Sequence, residues 1–196
     1  MEIEVKYKGE EGIDLFAHPL LAPFLGPLEE TPMSAFYYDT PESGCAQAGF
    51  ALRLRQEGPE SVCTVKGGGM QDGVARRVEI EEKADTLEQG VQALLNCPDL
   101  PESWREALSG PFQEKARMEF CRLSALFSRE GLTVELCRDQ GRIQAGGKEA
   151  PIDEWELELK KGSEEDFDAL RRELEKSLGL KGWEKSKFAR AMELLA

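Results

Sequence analysis

The chain has 196 residues, 40% of them hydrophobic and 32% charged, with a formal net charge of −13. That balance belongs to a folded domain and not to a disordered segment, and the length suits a single domain over residues 1–196 with a sizeable core. The acidic excess speaks against non-specific nucleic-acid binding and against docking on anionic membranes, and no apolar run reaches the roughly 18 residues of a membrane span.

Glu2 and Glu4 stand where a signal peptide would carry a basic and then an apolar stretch. The five cysteines, Cys45, Cys63, Cys97, Cys121 and Cys137, form no CxxC pair, so neither a disulfide framework nor a zinc ribbon is expected. Both features fit a protein of the reducing cytoplasm.

The first expected strand is Glu2, Ile3, Glu4, Val5, Lys6, Tyr7. Side chains alternate along a strand, so Glu2, Glu4 and Lys6 share one face and Ile3, Val5 and Tyr7 the other. Residues 10–30 hold Gly12, Pro19, Pro23, Gly26 and Pro27, which break any helix there. Strands are expected at 34–39, closed by a turn over Thr40 to Gly44, and at 50–56, where Arg53 and Arg55 share a face. A strand at 61–66 should end in a turn at Gly67, Gly68 and Gly69, and one at 74–82 places Arg77, Glu79 and Glu81 together. The period then becomes helical over 85–96, with Asp85 as N-cap, and a short helix is expected around 103–108.

Strands resume at 117–127, 132–138 and 142–145, the last two joined by a turn at Asp139, Gln140 and Gly141. The strand at 153–160 repeats the opening pattern, with Glu154, Glu156, Glu158 and Lys160 on one face. Ser163 should cap a helix ending at Gly179, and a last amphipathic helix is expected over 183–195.

The pattern is α+β and antiparallel. A single alternating Glu/Lys strand is ordinarily a solvated face with cross-strand ion pairs. Two acidic strands at the chain ends with basic strands between them favour a closed barrel with a charged interior and helices packed outside. Same-face carboxylates suit a hard divalent cation, and the arginines and lysines between them suit a small polyanion. Gly67 to Gly69 lacks the Lys-Ser/Thr of a phosphate loop, and the lone His18 reads as incidental.

The ordered series of Glu2/Glu4/Lys6, Tyr38-Asp39-Thr40-Pro41, Ala51 to Arg55, Thr64 to Gly67, Arg77 to Glu81, Arg122, Glu135 to Gly141, Glu154 to Glu158, Ser186-Lys187 and Arg190-Ala191 resembles the CYTH domains, or triphosphate tunnel metalloenzymes. The resemblance implies an eight-stranded antiparallel tunnel and Mg²⁺ or Mn²⁺ as cofactor. Metal would be held by Glu2, Glu4, Asp139, Glu154, Glu156 and Glu158, the C-terminal pair being either Glu154 with Glu156 or Glu156 with Glu158. Substrate would be bound by Lys6, Arg53, Arg55, Lys66, Arg77, Arg122, Lys187 and Arg190, with Glu4 and Lys6 catalytic.

The segment from Glu135 to Gly141 is similar to that of bacterial inorganic triphosphatases, which implies hydrolysis of tripolyphosphate to diphosphate and phosphate. Thiamine triphosphatase, class IV adenylyl cyclase and a non-catalytic polyphosphate- or nucleotide-binding module are the alternatives. A monomer or homodimer with a small anionic substrate, and no nucleic-acid or membrane partner, is expected.

Overall fold

The computed structural model describes residues 2–71 and 74–196. Its eight strands are β1 (Glu2–Lys8), β2 (Glu29–Asp39), β3 (Phe50–Glu57), β4 (Glu60–Gln71), β5 (Val74–Lys83), β6 (Gln113–Arg129), β7 (Leu132–Ala145) and β8 (Lys148–Lys161). They close into one barrel in the order β1-β5-β4-β3-β2-β6-β7-β8, with every neighbouring pair antiparallel. Closure leaves no free edge and gives each strand an inner and an outer face. The helices α1 (Gly44–Gln47), α2 (Leu87–Asn96), α3 (Glu102–Arg105), α4 (Glu164–Leu178) and α5 (Lys187–Leu195) lie outside this ring.

The outer face carries most of the apolar core. Ile3, Val5 and Tyr7 of β1 join Leu136, Trp155 and Leu157 of β7 and β8 beneath Phe167, Leu170 and Leu174 of α4. On the opposite side, Leu52, Cys63 and Val65 pack under Val91 and Leu94 of α2 and under Trp104. A third cluster lies at one end of the barrel, where Ala191 of α5 meets Met33, Ala35, Met118, Phe120, Ile143 and Ile152, and Phe188 stacks on Tyr37 with ring centroids 5.0 Å apart. α5 thus covers one mouth of the ring.

Several expected boundaries differ, each for a local reason. The strands at 132–138 and 142–145 are one continuous β7, with Asp139 inside it and no turn at 139–141. Gly141 serves close strand approach, since a Cβ there would run into the Glu119 carbonyl and Phe120. The glycines at 67–69 likewise lie inside β4 and not in a turn, with Gly67 facing the Gly49 carbonyl and the Trp104 ring.

β2 and β8 run further toward the N-terminus than expected, through Pro32 and Pro151. Both prolines pair on one side only, Pro32 with Cys121 and Pro151 with Arg142, so the missing N–H costs no ladder bond. The cap of α2 is Thr86, whose hydroxyl accepts from the Gln89 amide at 3.3 Å, and not Asp85. Ser163 and Gly179 do bracket α4. The last helix starts four residues later than expected, at Lys187, capped by Ser186. The chain before it is tied to β1, where the Trp183 amide donates to the Lys6 carbonyl at 2.7 Å.

A side chain at position 141 would have to displace the Glu119 carbonyl and the Phe120 Cα and Cβ. Gly141→Ala should therefore lower stability by roughly 3 kcal/mol, as overpacking against an unyielding neighbour does. Urea denaturation measures this, and a neutral result would mean that the residue sits in an open turn.

Candidate functional site

The inward faces enclose a cavity of about 700 Å³ lined by residues of all eight strands and by the start of α5. Glu2, Glu4, Lys6, Arg53, Arg55, Lys66, Arg77, Arg122, Glu156, Glu158 and Lys187 all line it. Asp139 and Glu154 lie immediately behind, fully buried, and Arg190 reaches Glu154 from α5 at 2.9 Å. The register explains the convergence, because β8 pairs with β1 as Glu158 to Glu4 and Glu156 to Lys6, and with β7 as Glu154 to Asp139.

One wall is centred on β1. Glu2 Oε1 meets Lys66 Nζ at 2.5 Å, and Glu4 pairs with the Arg77 guanidinium and lies 3.6 Å from Lys6 Nζ. Burial alone would raise the pKa of Glu4, but the ammoniums of Lys6 and Lys66 hold it down at about 2. Glu2 goes the other way. Burial and the charge of Glu4 push it up to about 7 against the opposing pull of Lys66. Its second oxygen, Oε2, is buried and has no hydrogen-bond partner among the described residues.

The adjoining wall is a carboxylate cluster. Asp139, Glu154 and Glu156 present oxygens that all lie within 4.8 Å of one another. Four cations surround them. Lys187 Nζ sits 2.7, 2.6 and 2.8 Å from Asp139, Glu154 and Glu156, and Lys6 Nζ 2.5 Å from Glu156. Arg122 forks onto Asp139 at 2.8 and 2.7 Å and reaches Glu156 at 2.5 Å, while Arg190 takes Glu154. Burial works against the charges of Glu156 and Lys187, yet Lys187, Lys6 and Arg122 hold Glu156 well below the usual carboxylate range, and Asp139 with Glu156 raises Lys187 well above its own.

The third wall is basic. Arg53 Nη2 contacts Thr64 Oγ1 at 3.2 Å, Glu81 at 3.3 Å and Glu79 at 3.4 Å, and Arg55 pairs with Glu57 and lies 3.5 Å from Glu81. The Nε atoms of both arginines are buried without an acceptor. Burial and the neighbouring Arg53 guanidinium lower the pKa of Arg55.

Every residue expected from the sequence at the site faces or adjoins this one cavity. Lys187 is buried, although as a helix-surface residue it would by default face solvent. Glu158 turns away from the carboxylate cluster toward Lys160 at 2.9 Å, which also holds Glu135 at 2.9 Å. Glu79, Glu81, Glu57, Glu135 and Lys160 are lumen residues outside the expected set. Simple parity with Arg77 would have placed Glu79 and Glu81 there; Glu135 needed the β7–β8 register.

Oxygen-only donors and clustered carboxylates fit a hard divalent cation such as Mg²⁺ or Mn²⁺, and the orphaned Glu2 Oε2 is a further acceptor for it. The orphaned arginine donors fit an anion.

A closed antiparallel tunnel with this lining defines a class, and the family model of the CYTH domain matches residues 1–192. The chain belongs to the CYTH domain family. Among curated relatives, an inorganic triphosphatase of Haemophilus influenzae is 34% identical over 137 residues, which are 67% of this chain and 37% of that protein. The chain therefore spans little more than a third of that relative's length. Among solved structures, a Hippeastrum protein described as an adenylyl cyclase candidate with a dominant triphosphatase activity superposes with a TM-score of 0.61 at 24% identity, over 98% of this chain and 96% of that one. The PH1819 protein of Pyrococcus horikoshii gives 0.60 at 16% identity over 99% of both. These two likenesses bear on the fold.

The opposite shifts of Glu2 and Glu4 have opposite signs in stability. The folded-state pKa of Glu4, about 2, lies below its ordinary 4.5, so its contribution is present above pH 4.5 and lost as pH falls toward 2. That of Glu2, about 7, lies above 4.5, so its contribution is present below pH 4.5 and lost as pH rises through 7. Without divalent metal, Glu2→Gln should gain stability relative to the native chain as pH rises from 4.5 to above 7. Urea midpoints of the two proteins across that range check this, and parallel curves would refute it.

Proposed function

We propose that the tunnel hydrolyses inorganic triphosphate to diphosphate and phosphate with Mg²⁺ or Mn²⁺ as cofactor. The observation that carries this reading is the pairing of opposite unmet needs across one lumen: buried Nε donors of Arg53 and Arg55 with no acceptor, and a buried Glu2 oxygen with no hydrogen-bond partner, among the described residues. A linear polyphosphate with a divalent ion answers both. The inorganic triphosphatase relative is consistent with that substrate.

In this reading Arg53, Arg55, Lys66, Arg77 and Arg122 grip the phosphate oxygens with charge-assisted hydrogen bonds. Asp139, Glu154 and Glu156, with Glu2 and Glu4 across the lumen, are the oxygen donors for metal, and the mutual proximity of the first three favours Glu154 with Glu156 over Glu156 with Glu158. A bound divalent ion supplies charge neutralisation at the phosphate oxygens and polarises the phosphoryl group. Lys6 and Lys187, each shared among carboxylates, are the ammoniums placed to turn from carboxylate to phosphate oxygens. Lys6 keeps its proton, because Glu156 and Glu4 raise its pKa against the effect of burial, so it stabilises charge and is no base. Water attacks the terminal phosphorus, the bridging P–O bond breaks, and diphosphate leaves with the bond electrons. Glu4 orients Lys6 and Arg77, and the water's proton passes to a lumen carboxylate. Phosphoryl transfer of this kind needs positioning and charge neutralisation above all.

One feature favours a second reading, an organic triphosphate such as thiamine triphosphate or ATP. Met33, Tyr37, Phe120 and Phe188 form an apolar wall in the same cavity, and inorganic triphosphate has no use for it. Release of phosphate or diphosphate from the three substrates, side by side, decides between them.

Glu4→Gln and Glu156→Gln should lower Mg²⁺-dependent tripolyphosphate turnover by about a hundredfold or more while the protein stays folded. Arg55→Ala should instead raise KM by roughly tenfold with a smaller effect on kcat. Steady-state phosphate release and circular dichroism measure these outcomes, and full activity in both glutamine variants would refute the assignment. Calorimetric titration with Mn²⁺ should show weakened metal binding in Glu156→Gln, independent of turnover.

A further inference from the structure

The segment Tyr38-Asp39-Thr40-Pro41 has no part in the lumen chemistry described above, yet Asp39 is 3% exposed and its carboxylate is fully engaged. Oδ1 accepts from the backbone amides of Thr40 at 2.7 Å and Cys45 at 2.8 Å, and Oδ2 accepts from the amide of Ala46 at 3.2 Å. The neighbouring Thr40 hydroxyl accepts from the Gly44 amide at 2.8 Å. Two adjacent side chains therefore gather four amides of the chain that turns from β2 into β3. Ser43, in the left-handed region at φ 61°, precedes α1 without a side-chain cap bond, and the Gln47 side-chain amide adds one bond to the Glu42 carbonyl at 2.5 Å.

What the turn carries gives this anchoring its meaning. Ala46 and Gly49 line the cavity, and Gly49 leads directly into Phe50, Ala51, Arg53 and Arg55. The Gly49 carbonyl lies against Gly67 of β4, and Phe50 stacks on Trp104 with centroids 4.8 Å apart. The origin of β3 is thus held from one side by packing and from the other by the carboxylate of Asp39. From these contacts we infer that Asp39 is a positioning residue for substrate. By tying down the 40–48 turn as one rim of the tunnel, it holds Arg53 and Arg55 at the spacing that binds the polyanion, and it touches neither substrate nor metal. This rests on the reading of the tunnel as a triphosphate site.

The test compares the native chain with Asp39→Ala, which removes all three acceptances, and Asp39→Asn, which keeps one carbonyl acceptor. With tripolyphosphate and Mg²⁺, Asp39→Ala should raise KM about tenfold with kcat within about twofold, and Asp39→Asn should fall between it and the native chain. Hydrogen exchange should quicken at the Cys45 and Ala46 amides and stay unchanged along β7 and β8, a pattern that general destabilisation would not give. Should Asp39→Ala fail to fold, Asp39→Asn and Thr40→Val carry the test, each expected to raise KM by about threefold with kcat retained. A fall in kcat at constant KM, or unchanged kinetics in a native-active background, overturns the inference alone. A native chain that neither binds nor hydrolyses tripolyphosphate overturns the triphosphate reading and this inference with it.

Discussion

Burial of charge of both signs inside one barrel is the constraint on which the rest of this structure depends. Taking a carboxylate or an ammonium out of water costs several kcal/mol for each ion, and the cost is met only when partners lie at contact distance. Here they do. Lys6 lies among Glu4, Glu154 and Glu156; Arg122 bridges Asp139 and Glu156; Lys187 touches three carboxylates at once. Apart from Lys6 with Glu4, both on β1, each of these contacts spans different strands or a strand and α5, so those ion pairs can form only if the ring closes in this register. The same lattice leaves selected atoms of Arg53, Arg55 and Glu2 unmet. A network satisfied everywhere would be a core; one with matched vacancies for an anion and a cation is a binding site.

The turned-in charge also dictates the outside. With polar faces inward, the apolar faces of β1, β3, β4, β7 and β8 need cover, and α2, α4 and the segments around Trp104 and Leu15 supply it. At one end apolar packing enters the lumen, where Phe188 and Ala191 of α5 meet Tyr37, Met118 and Ile143. That packing delivers Lys187 and Arg190 to the carboxylates. A chain of net charge −13 can still bind a polyanion on these terms, because a ligand in a low-dielectric lumen responds to the groups at its walls and not to the sum over the surface.

Much of this was legible as parity. Glu2, Glu4 and Lys6, the row Glu154 to Lys160, and Arg53 with Arg55 share faces in any extended chain, so their common side needed no coordinates. Element lengths were less legible. Gly141 and Gly67 read as turn residues because glycine is permissive wherever φ is positive, but these two answer to a neighbouring strand's backbone, and sequence carries no sign of a close approach from elsewhere in the chain. Pro32 and Pro151 lie inside strands expected to start after them, because whether a proline is tolerated depends on which side has a partner. The burial of Lys187 was invisible locally, since a lysine at a helix start is ordinarily solvated.

The amino-acid sequence by itself determined which side chains lie together on each strand, because alternation is a property of the backbone and asks nothing of the rest of the fold. It also set the antiparallel α+β order and the family. The tertiary structure alone decided that those faces turn inward, that Asp139, Glu154 and Glu156 converge while Glu158 goes with Lys160, and that Lys187 closes the cluster. These outcomes depend on strand register and ring closure. Both are set by long-range pairing between residues as far apart as Lys6 and Glu156, where the favourable Coulomb energy exists only once water has been excluded.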